Sequence, residues 1–419
     1  TVDTDATIEA VGGSVALDAF ANSEANIFTL GLVAGVSYAR SDATSSVTVR
    51  DGARGTAGGD VVVSSVNVNS VAVKTKTINV GPMNKVPLSV SVTVAESYQH
   101  ATATIAEGAT ISAGGDVHVL AHSTRNFDAA VEGGSTNQHL GVGFTLGLSN
   151  ATANATIDGA VTAGGDINVL AQTISAKNKT NTKFQAGEPA RSNAVNRLMV
   201  GIQTTRLVTD GLLGDDDKAV AAGGLVGALL KMVSDGKINA EAQKATALPR
   251  PQQGKSIGVI AASIALHDSA ATASIGGTAR VSAGGGVHVQ SGVLDRPDIT
   301  TQGLAALFRN PNIPQTPGER IFGIAVSYAE HANVSTAYIA GGARVNAAGA
   351  IRVDARTRLP YETPWHDVRN GGQVFGVVLQ HLGDANLGAN GYVSSWTQSL
   401  AEGNKKGLAL STDILVLDD

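Results

Sequence analysis

Polar and apolar residues alternate along most of this chain with a period of two. The clearest runs, residues 101–105 and 151–157, place Ala or Ile at every second position with Thr or Asn between them. This alternation is typical of a strand with one buried face. A more uniformly apolar stretch precedes each run and a Gly-containing turn follows it. The pattern therefore predicts a chain built mainly from β-strands.

One phrase recurs within this pattern: Ala-Gly-Gly-Asp, then Val or Ile, one variable residue and Val. Complete copies occupy residues 57–63, 113–119 and 163–169, and looser copies occupy 283–289 and 347–353. Gly permits positive φ and Asp hydrogen-bonds to its own backbone in turns, so each phrase predicts a corner followed by a strand. The corner residues are Gly58, Gly59, Asp60, Gly114, Gly115, Asp116, Gly164, Gly165, Asp166, Gly284 and Gly285.

The spacing of the phrase predicts a stack of similar units. Its first glycine stands at positions 12, 58, 114, 164 and 284, and most intervals are near 50 residues. Self-similarity of this kind is typical of repeat proteins whose units stack on one another. We predict a parallel β-helix (β-solenoid) with irregular repeats of about 50–65 residues and two coils in each. Tandem small β-sandwich repeats are the alternative.

The longest interval contains a change from strand to helix patterning. Residues 190–213 and 215–233 have helical character, and three carboxylates at residues 215–217 favour a helix N-terminus. We therefore predict solenoid repeats over 1–176 and 255–419, with an α-helical hairpin inserted over 177–254.

Shorter insertions are predicted near 293–320, with a helical turn at 301–309, and near 359–372. Loops are predicted at 64–86 and 122–139. All of these segments follow the Ala-Gly-Gly-Asp strand of their unit, as the helical hairpin does, so a stack would align them along one edge.

Composition and charge narrow the class of protein. The chain has 43% apolar residues, which argues against disorder, and its 50 glycines lack the three-residue period of collagen. The net charge is −5 with no basic cluster, so nucleic acid is not an expected partner. The chain has no cysteine, which excludes disulfides and zinc–thiolate sites.

Side chains that could bind a metal are sparse and poorly spaced. The corner aspartates resemble calcium-binding repeats only superficially, because there is one Asp per unit of about 50 residues. His118 and His288 share one repeat position that we expect to face outward, while His267 and His331 share another and are expected to form a polar ladder. Neither pair has metal-ligand spacing. We expect no metal, no cofactor and no catalytic residue.

One predicted loop gathers aromatic and charged side chains. Tyr361, Trp365 and His366 lie between and beside two prolines, with Arg369 close behind. An exposed Trp and Tyr can stack on a sugar or contact a protein. The alternative is that Trp365 packs the loop onto the rod.

The Ala-Gly-Gly-Asp-Val-x-Val strands and their Ala/Thr partners resemble the large repetitive surface adhesins of Gram-negative bacteria, of the filamentous-haemagglutinin type. The resemblance implies an extracellular or cell-surface β-helical fibre that acts in adhesion, biofilm formation or virulence. Its implied partners are a host or matrix glycan or surface protein, and neighbouring repeats of a longer parent chain. Two other functions stay open: a carbohydrate-active enzyme (polysaccharide lyase or hydrolase) on a β-helix, and the stalk or passenger of a secreted toxin.

Overall fold

The computed structural model describes residues 1–31, 34–79, 88–135, 140–187, 257–306, 321–358, 394–402 and 407–418. These residues form three sheets of parallel strands stacked in register, consistent with the predicted β-solenoid, and they contain no helix. The predicted helical segments at 190–213 and 215–233 lie outside the described residues, and so do residues 359–372.

Two of the sheets are long and the third is short. The short sheet closes one end of each coil. It consists of β1 (Thr7–Ala10), β4 (Arg54–Ala57), β7 (Thr110–Ala113), β10 (Ala160–Ala163), β13 (Arg280–Ala283) and β17 (Arg344–Ala347).

The sheet that follows each corner is called here long sheet 1. It consists of β2 (Val15–Gly31), β5 (Val61–Asn79), β8 (Val117–Ser135), β11 (Ile167–Gly187), β14 (Val287–Leu294), β15 (Pro297–Ala306), β18 (Ile351–Arg358) and β19 (Ser394–Glu402). The opposite sheet is long sheet 2. It consists of β3 (Ala34–Val49), β6 (Leu88–Ile105), β9 (Leu140–Ile157), β12 (Ile257–Ile275), β16 (Ile321–Ile339) and β20 (Gly407–Asp418).

Each repeat forms one coil, and the prediction of two coils per repeat is wrong. The apolar stretch and the alternating run that follows it are one continuous strand, so the uninterrupted long strands have 16 to 21 residues. A strand of 18 residues extends about 60 Å, which makes each coil wide and flat.

The register of the core is confirmed. The apolar residues after the corners at 58, 114, 164 and 284 point inward and are at most 1% exposed, and they join one cluster that runs along the stack. The alternate positions face outward, because side chains along a strand alternate between its two faces. The inward residues are Val61, Val63, Val117, Val119, Ile167, Val169, Val287 and Val289.

The corner glycines are required by close contact between coils, and the predicted positive φ is wrong for them. The described glycines with positive φ are Gly52, Gly108 and Gly342, in the turn before the short strand. A Cβ on Gly114 would lie 2.3 Å from the carbonyl oxygen of Gly58 in the coil below. A side chain at this position would therefore force adjacent coils apart.

Several segments predicted as loops are strands. Residues 64–79 and 122–135 complete β5 and β8, and β11 continues to Gly187, past the predicted start of the hairpin at 177. In the predicted insertion at 293–320, residues up to 294 belong to β14 and Pro297–Ala306 form β15. The helical turn predicted at 301–309 is therefore wrong for residues 301–306, the part that is described. In β5, β8 and β11, inward positions of these stretches carry polar residues such as Asn67, Arg125 and Thr180, which hide the alternation typical of a strand.

Candidate functional site

The corner aspartates form a hydrogen-bonded ladder along the stack. The Asp60 carboxylate accepts a bond from the backbone N–H of Asp116 at 2.9 Å, and the Asp116 carboxylate accepts one from Asp166 at 2.7 Å. The next step joins Asp166 to the N–H of Gly286 at 2.6 Å. Each Asp thus satisfies a backbone donor of the next coil, and the expectation that it bonds its own turn is wrong.

The ladder gives a test of the calcium alternative. Asn in place of Asp116 retains an acceptor oxygen, so we expect Asp116→Asn to lower the free energy of unfolding by less than about 1 kcal/mol. Asp116→Ala should lower it by about 1–2 kcal/mol, because a backbone donor loses its partner. Adding a chelator should not change the melting temperature of either variant. The calcium alternative predicts a different result: chelator would lower the melting temperature of the wild type, and Asp116→Asn would lower it by the same amount. That outcome would mean that the carboxylate binds a cation.

The outward repeat position is polar and partly exposed. His118 and Asn168 are stacked neighbours there, with 3.3 Å between His118 Nδ1 and Asn168 Nδ2, and His288 pairs with Asn168 on its other side. All three side chains are half-buried, as the outward assignment predicts.

A cluster of ionisable groups lies inside the rod, between the two long sheets. His267 and His331 are stacked partners on β12 and β16, with ring centroids 4.9 Å apart, so the predicted ladder exists but is buried. Asp295 lies between β14 and β15, and its Oδ2 is 2.6 Å from His331 Nδ1. The Arg125 guanidinium of β8 lies 3.6 Å from Asp295 Oδ1.

Further hydrogen bonds fix this cluster in place. Arg125 donates to Ser175 Oγ at 2.6 Å and to the Asp268 carbonyl at 3.2 Å, while Asn178 donates to Asp295 Oδ1 at 2.7 Å. His267 bonds through Nδ1 to Ser149. The Nε2 atoms of both histidines have no hydrogen-bond partner among the described residues.

Burial and charge set the protonation states of the cluster. Burial alone would raise the pKa of Asp295, but the hydrogen bond and charge of His331 and the charge of Arg125 outweigh it and lower that pKa. Burial lowers the pKa of His267 well below its usual value, and the charges of His331 and Arg125 add to this effect. Asp295 is therefore ionised opposite Arg125, and His267 is neutral.

The cluster is closed to solvent. The side chains of Arg125, Asp295 and His331 are 0% exposed, so a substrate has no access to them. We therefore assign the cluster a structural role. Arg125 and Asp295 are not among the residues predicted from the sequence, because both fall in stretches whose pattern predicts loops or insertions. The one available signal is that Arg125 keeps the period-two inward phase of β8.

The neutral state of His267 makes the stability of the rod depend on pH. An unfolded histidine binds a proton below about pH 6.5, whereas folded His267 does so only at lower pH. The unfolded state then holds more protons, so stability falls as the pH drops below about 6.5, by up to about 1.4 kcal/mol per unit.

We expect the wild-type melting temperature to fall between pH 7 and pH 5, and His267→Gln to reduce that fall. His118→Gln is the matched control on the outer surface and should leave the fall unchanged. Equal pH profiles for the wild type and His267→Gln would contradict this assignment.

The joins between the two long sheets are aligned along one edge. The strand ends Asn79 and Ser135 are stacked partners, as are Gly187, Ala306 and Glu402 in successive coils. The segments that follow these ends have very different lengths: residues 80–87, 136–139, 188–256, 307–320 and 403–406. We call this edge, defined by the described strand ends around these segments, the loop edge.

The predicted binding residues Tyr361, Trp365, His366 and Arg369 lie outside the described residues. The two strand ends that border them, Arg358 and Ser394, do not lie at the loop edge. Residues 359–393 leave after Arg358 and return at Ser394, in the middle of long sheet 1, opposite the break between β14 and β15 at Asp295.

The chain matches no protein-family model, no curated protein and no solved structure. Within the described ranges, no helix is long and apolar enough to cross a bilayer. The described residues also contain no group of three or more His, Asp or Glu side chains that could hold a metal ion.

Proposed function

We propose that this chain is a segment of a secreted or cell-surface adhesin, a β-solenoid rod that presents binding segments to a host or matrix glycan or surface protein. One observation carries the proposal. Segment length varies from a few residues to the whole of 188–256 at the loop edge, while the coils on either side keep one register. A scaffold that stays constant while its loops vary suits recognition.

The rod supplies what such a role needs mechanically. Adjacent coils are joined by ladders of backbone hydrogen bonds in all three sheets and by the aspartate ladder at the corner. Nearest-neighbour contacts of this kind stabilise a repeat array whatever its length. A rod can therefore hold its loops at fixed positions along its axis.

The test is binding of the purified chain to arrayed acidic and neutral glycans and to extracellular matrix proteins. One variant replaces residues 190–253 with a short Gly/Ser linker, and a second combines Tyr361→Ala with Trp365→Ala. We expect one of them to lose at least tenfold in affinity, about 1.4 kcal/mol, while the β circular-dichroism signal persists. The folded rod should tolerate the linker because a change in loop length costs only about 0.6 kcal/mol per doubling.

His118→Gln, on the outer surface beside the corner, is the control and should bind like the wild type. Absence of binding to every probe, or equal binding by both loop variants and the wild type, would contradict display from these segments.

A further inference from the structure

In three strands of long sheet 2, β3, β6 and β9, the two faces exchange polarity halfway along the strand. In β9 the inward residues change from Gly and Thr at Gly141, Gly143 and Thr145 to Ala and Ile in residues 151–157. The outward residues change in the opposite sense, from large apolar side chains to Asn and Thr. The phase of the strand does not shift, so the half of β9 nearest the loop edge is apolar on its outer surface.

The interior explains why the inward positions there are small. A Cβ on Gly141 or Gly143 would lie within 3 Å of the Phe184 ring, and one on Gly147 would meet Phe127. Two phenylalanines from long sheet 1 therefore fill this part of the core. No comparable contact within the described chain accounts for the large side chains that point outward.

The same outward residues align in rows across all six strands of long sheet 2. We call the three rows together the outer apolar face, and none of their residues is charged. The first row is Ala34, Val90, Val142, Ile260, Ile324 and Leu410; the second is Val36, Val92, Phe144, Ala262, Val326 and Thr412; the third is Tyr38, Val94, Leu146, Ile264, Tyr328 and Ile414.

This face is exposed and large. On the first and last strands, Val36 is 67% exposed, Leu410 51% and Ile414 46%, while the face residues of the four strands between them are half-buried, apart from Val326 at 36%. Six strands about 4.8 Å apart and about six residues along each strand cover roughly 500 Å². A contiguous apolar patch of that size is typical of an interaction surface.

We propose that the outer apolar face packs against the same face of a second copy of this chain. Stacked rows of identical spacing form parallel ridges and grooves, so the surface is complementary to itself across a two-fold axis. Two such faces would bury about 1,000 Å², the lower limit for a specific protein interface. The proposal concerns lateral pairing of rods and does not depend on the adhesive function.

The border of the face favours a protein partner over a bilayer. The outward row beside it contains Glu96 and Glu330, with one cation at Arg40, and the row beyond it contains Asp42 and Asp268. These carboxylates lie along one border only, since the row on the loop-edge side is apolar, with Leu140 and Phe322. An excess of carboxylates opposes binding to anionic lipid, and a polar border beside an apolar centre is common in protein interfaces.

The test is the mass of the intact chain in solution, measured by light scattering and sedimentation up to about 100 µM, a range that detects Kd values in the micromolar region. We expect the wild type to have twice the chain mass of 42.3 kDa. The variant Leu146→Lys with Ile264→Glu places opposite charges on adjacent strands of the face, where they can pair in the monomer. We expect this variant to be monomeric over the whole concentration range, which corresponds to at least a tenfold loss of affinity between copies.

The matched control carries the same change on the outer surface of long sheet 1, Leu120→Lys with Leu170→Glu, which are also stacked partners. It should remain a dimer. A spin label on Glu96→Cys, unique in a chain without cysteine, should show a short distance between copies, and one on Lys74→Cys on the opposite sheet should not.

Three outcomes would overturn the proposal. A wild type that is monomeric at about 100 µM would exclude self-association with a Kd in the micromolar range. A monomer that dimerises only when residues 190–233 are removed would assign the face to that segment of the same chain. A monomer that binds phosphatidylcholine vesicles, and loses this binding in Leu146→Lys with Ile264→Glu, would assign the face to lipid.

Discussion

Gly114→Ala is expected to destabilise the rod by about 3 kcal/mol or more, because the added methyl group would collide with backbone. Its Cβ would lie 2.3 Å from the Gly58 carbonyl oxygen, in a coil held by hydrogen bonds in three sheets. A flexible side chain could move aside, but this carbonyl cannot move without separating two coils. The melting temperature should fall by at least about 3 °C, because the entropy of unfolding of a chain this long is large.

Gly12→Ala is the matched control for this prediction. Gly12 lies at the corresponding corner of the first coil, next to Val11, which lies under Gly58, and a Cβ on Gly12 would meet no atom within 4 Å. Its effect should stay within about 0.5 kcal/mol. Similar losses in Gly12→Ala and Gly114→Ala would mean that glycine is needed at the corner for its backbone conformation and not for the contact between coils.

The corner and the core beside it were predictable from the sequence alone. Val61 and Val63 flank an outward position in a short phrase that recurs. The two-residue period of that phrase and its apolar composition both place the two valines on the buried face. The corner aspartate was identified as structural, but its partner could not be inferred, because the backbone donor that it accepts from belongs to the next coil.

Strand length was not predictable, and the polarity exchange in long sheet 2 is the reason. The buried face of a strand is inferred from the positions of its apolar residues, and in β9 these lie on the outer face before Asn150 and on the inner face after it. The exchange resembles a boundary between two strands of opposite phase. Counting two strands where the chain has one doubled the number of coils predicted for each repeat.

The buried cluster was hidden for a related reason. Inward polar residues of β8, such as Ser123 and Arg125, break the apolar alternation that marks a strand, so this half of the strand resembles a loop. Asp295 and His331 come from different elements of the fifth coil, and His267 from the fourth. Only the stacking of coils brings these groups to Arg125, and no local pattern encodes that proximity.

Arg125→Met is expected to lower the free energy of unfolding by about 3–5 kcal/mol, because it leaves the Asp295 carboxylate buried without its guanidinium partner. Both side chains are 0% exposed, so solvent cannot replace the lost charge. The bonds from Arg125 to Ser175 and to the Asp268 carbonyl would also be lost. Chemical denaturation at pH 7 measures the effect.

The double variant Arg125→Met with Asp295→Asn distinguishes the ion pair from simple packing. Asn at 295 keeps an oxygen near Asn178 and His331 but carries no charge, so the penalty for an unpaired buried charge disappears. We expect the double variant to be more stable than Arg125→Met by at least about 1 kcal/mol, since contacting residues of one network couple by 0.5–3 kcal/mol. Additive losses would show that Arg125 stabilises the rod through its hydrogen bonds and volume alone, and that the charge of Asp295 is balanced by His331.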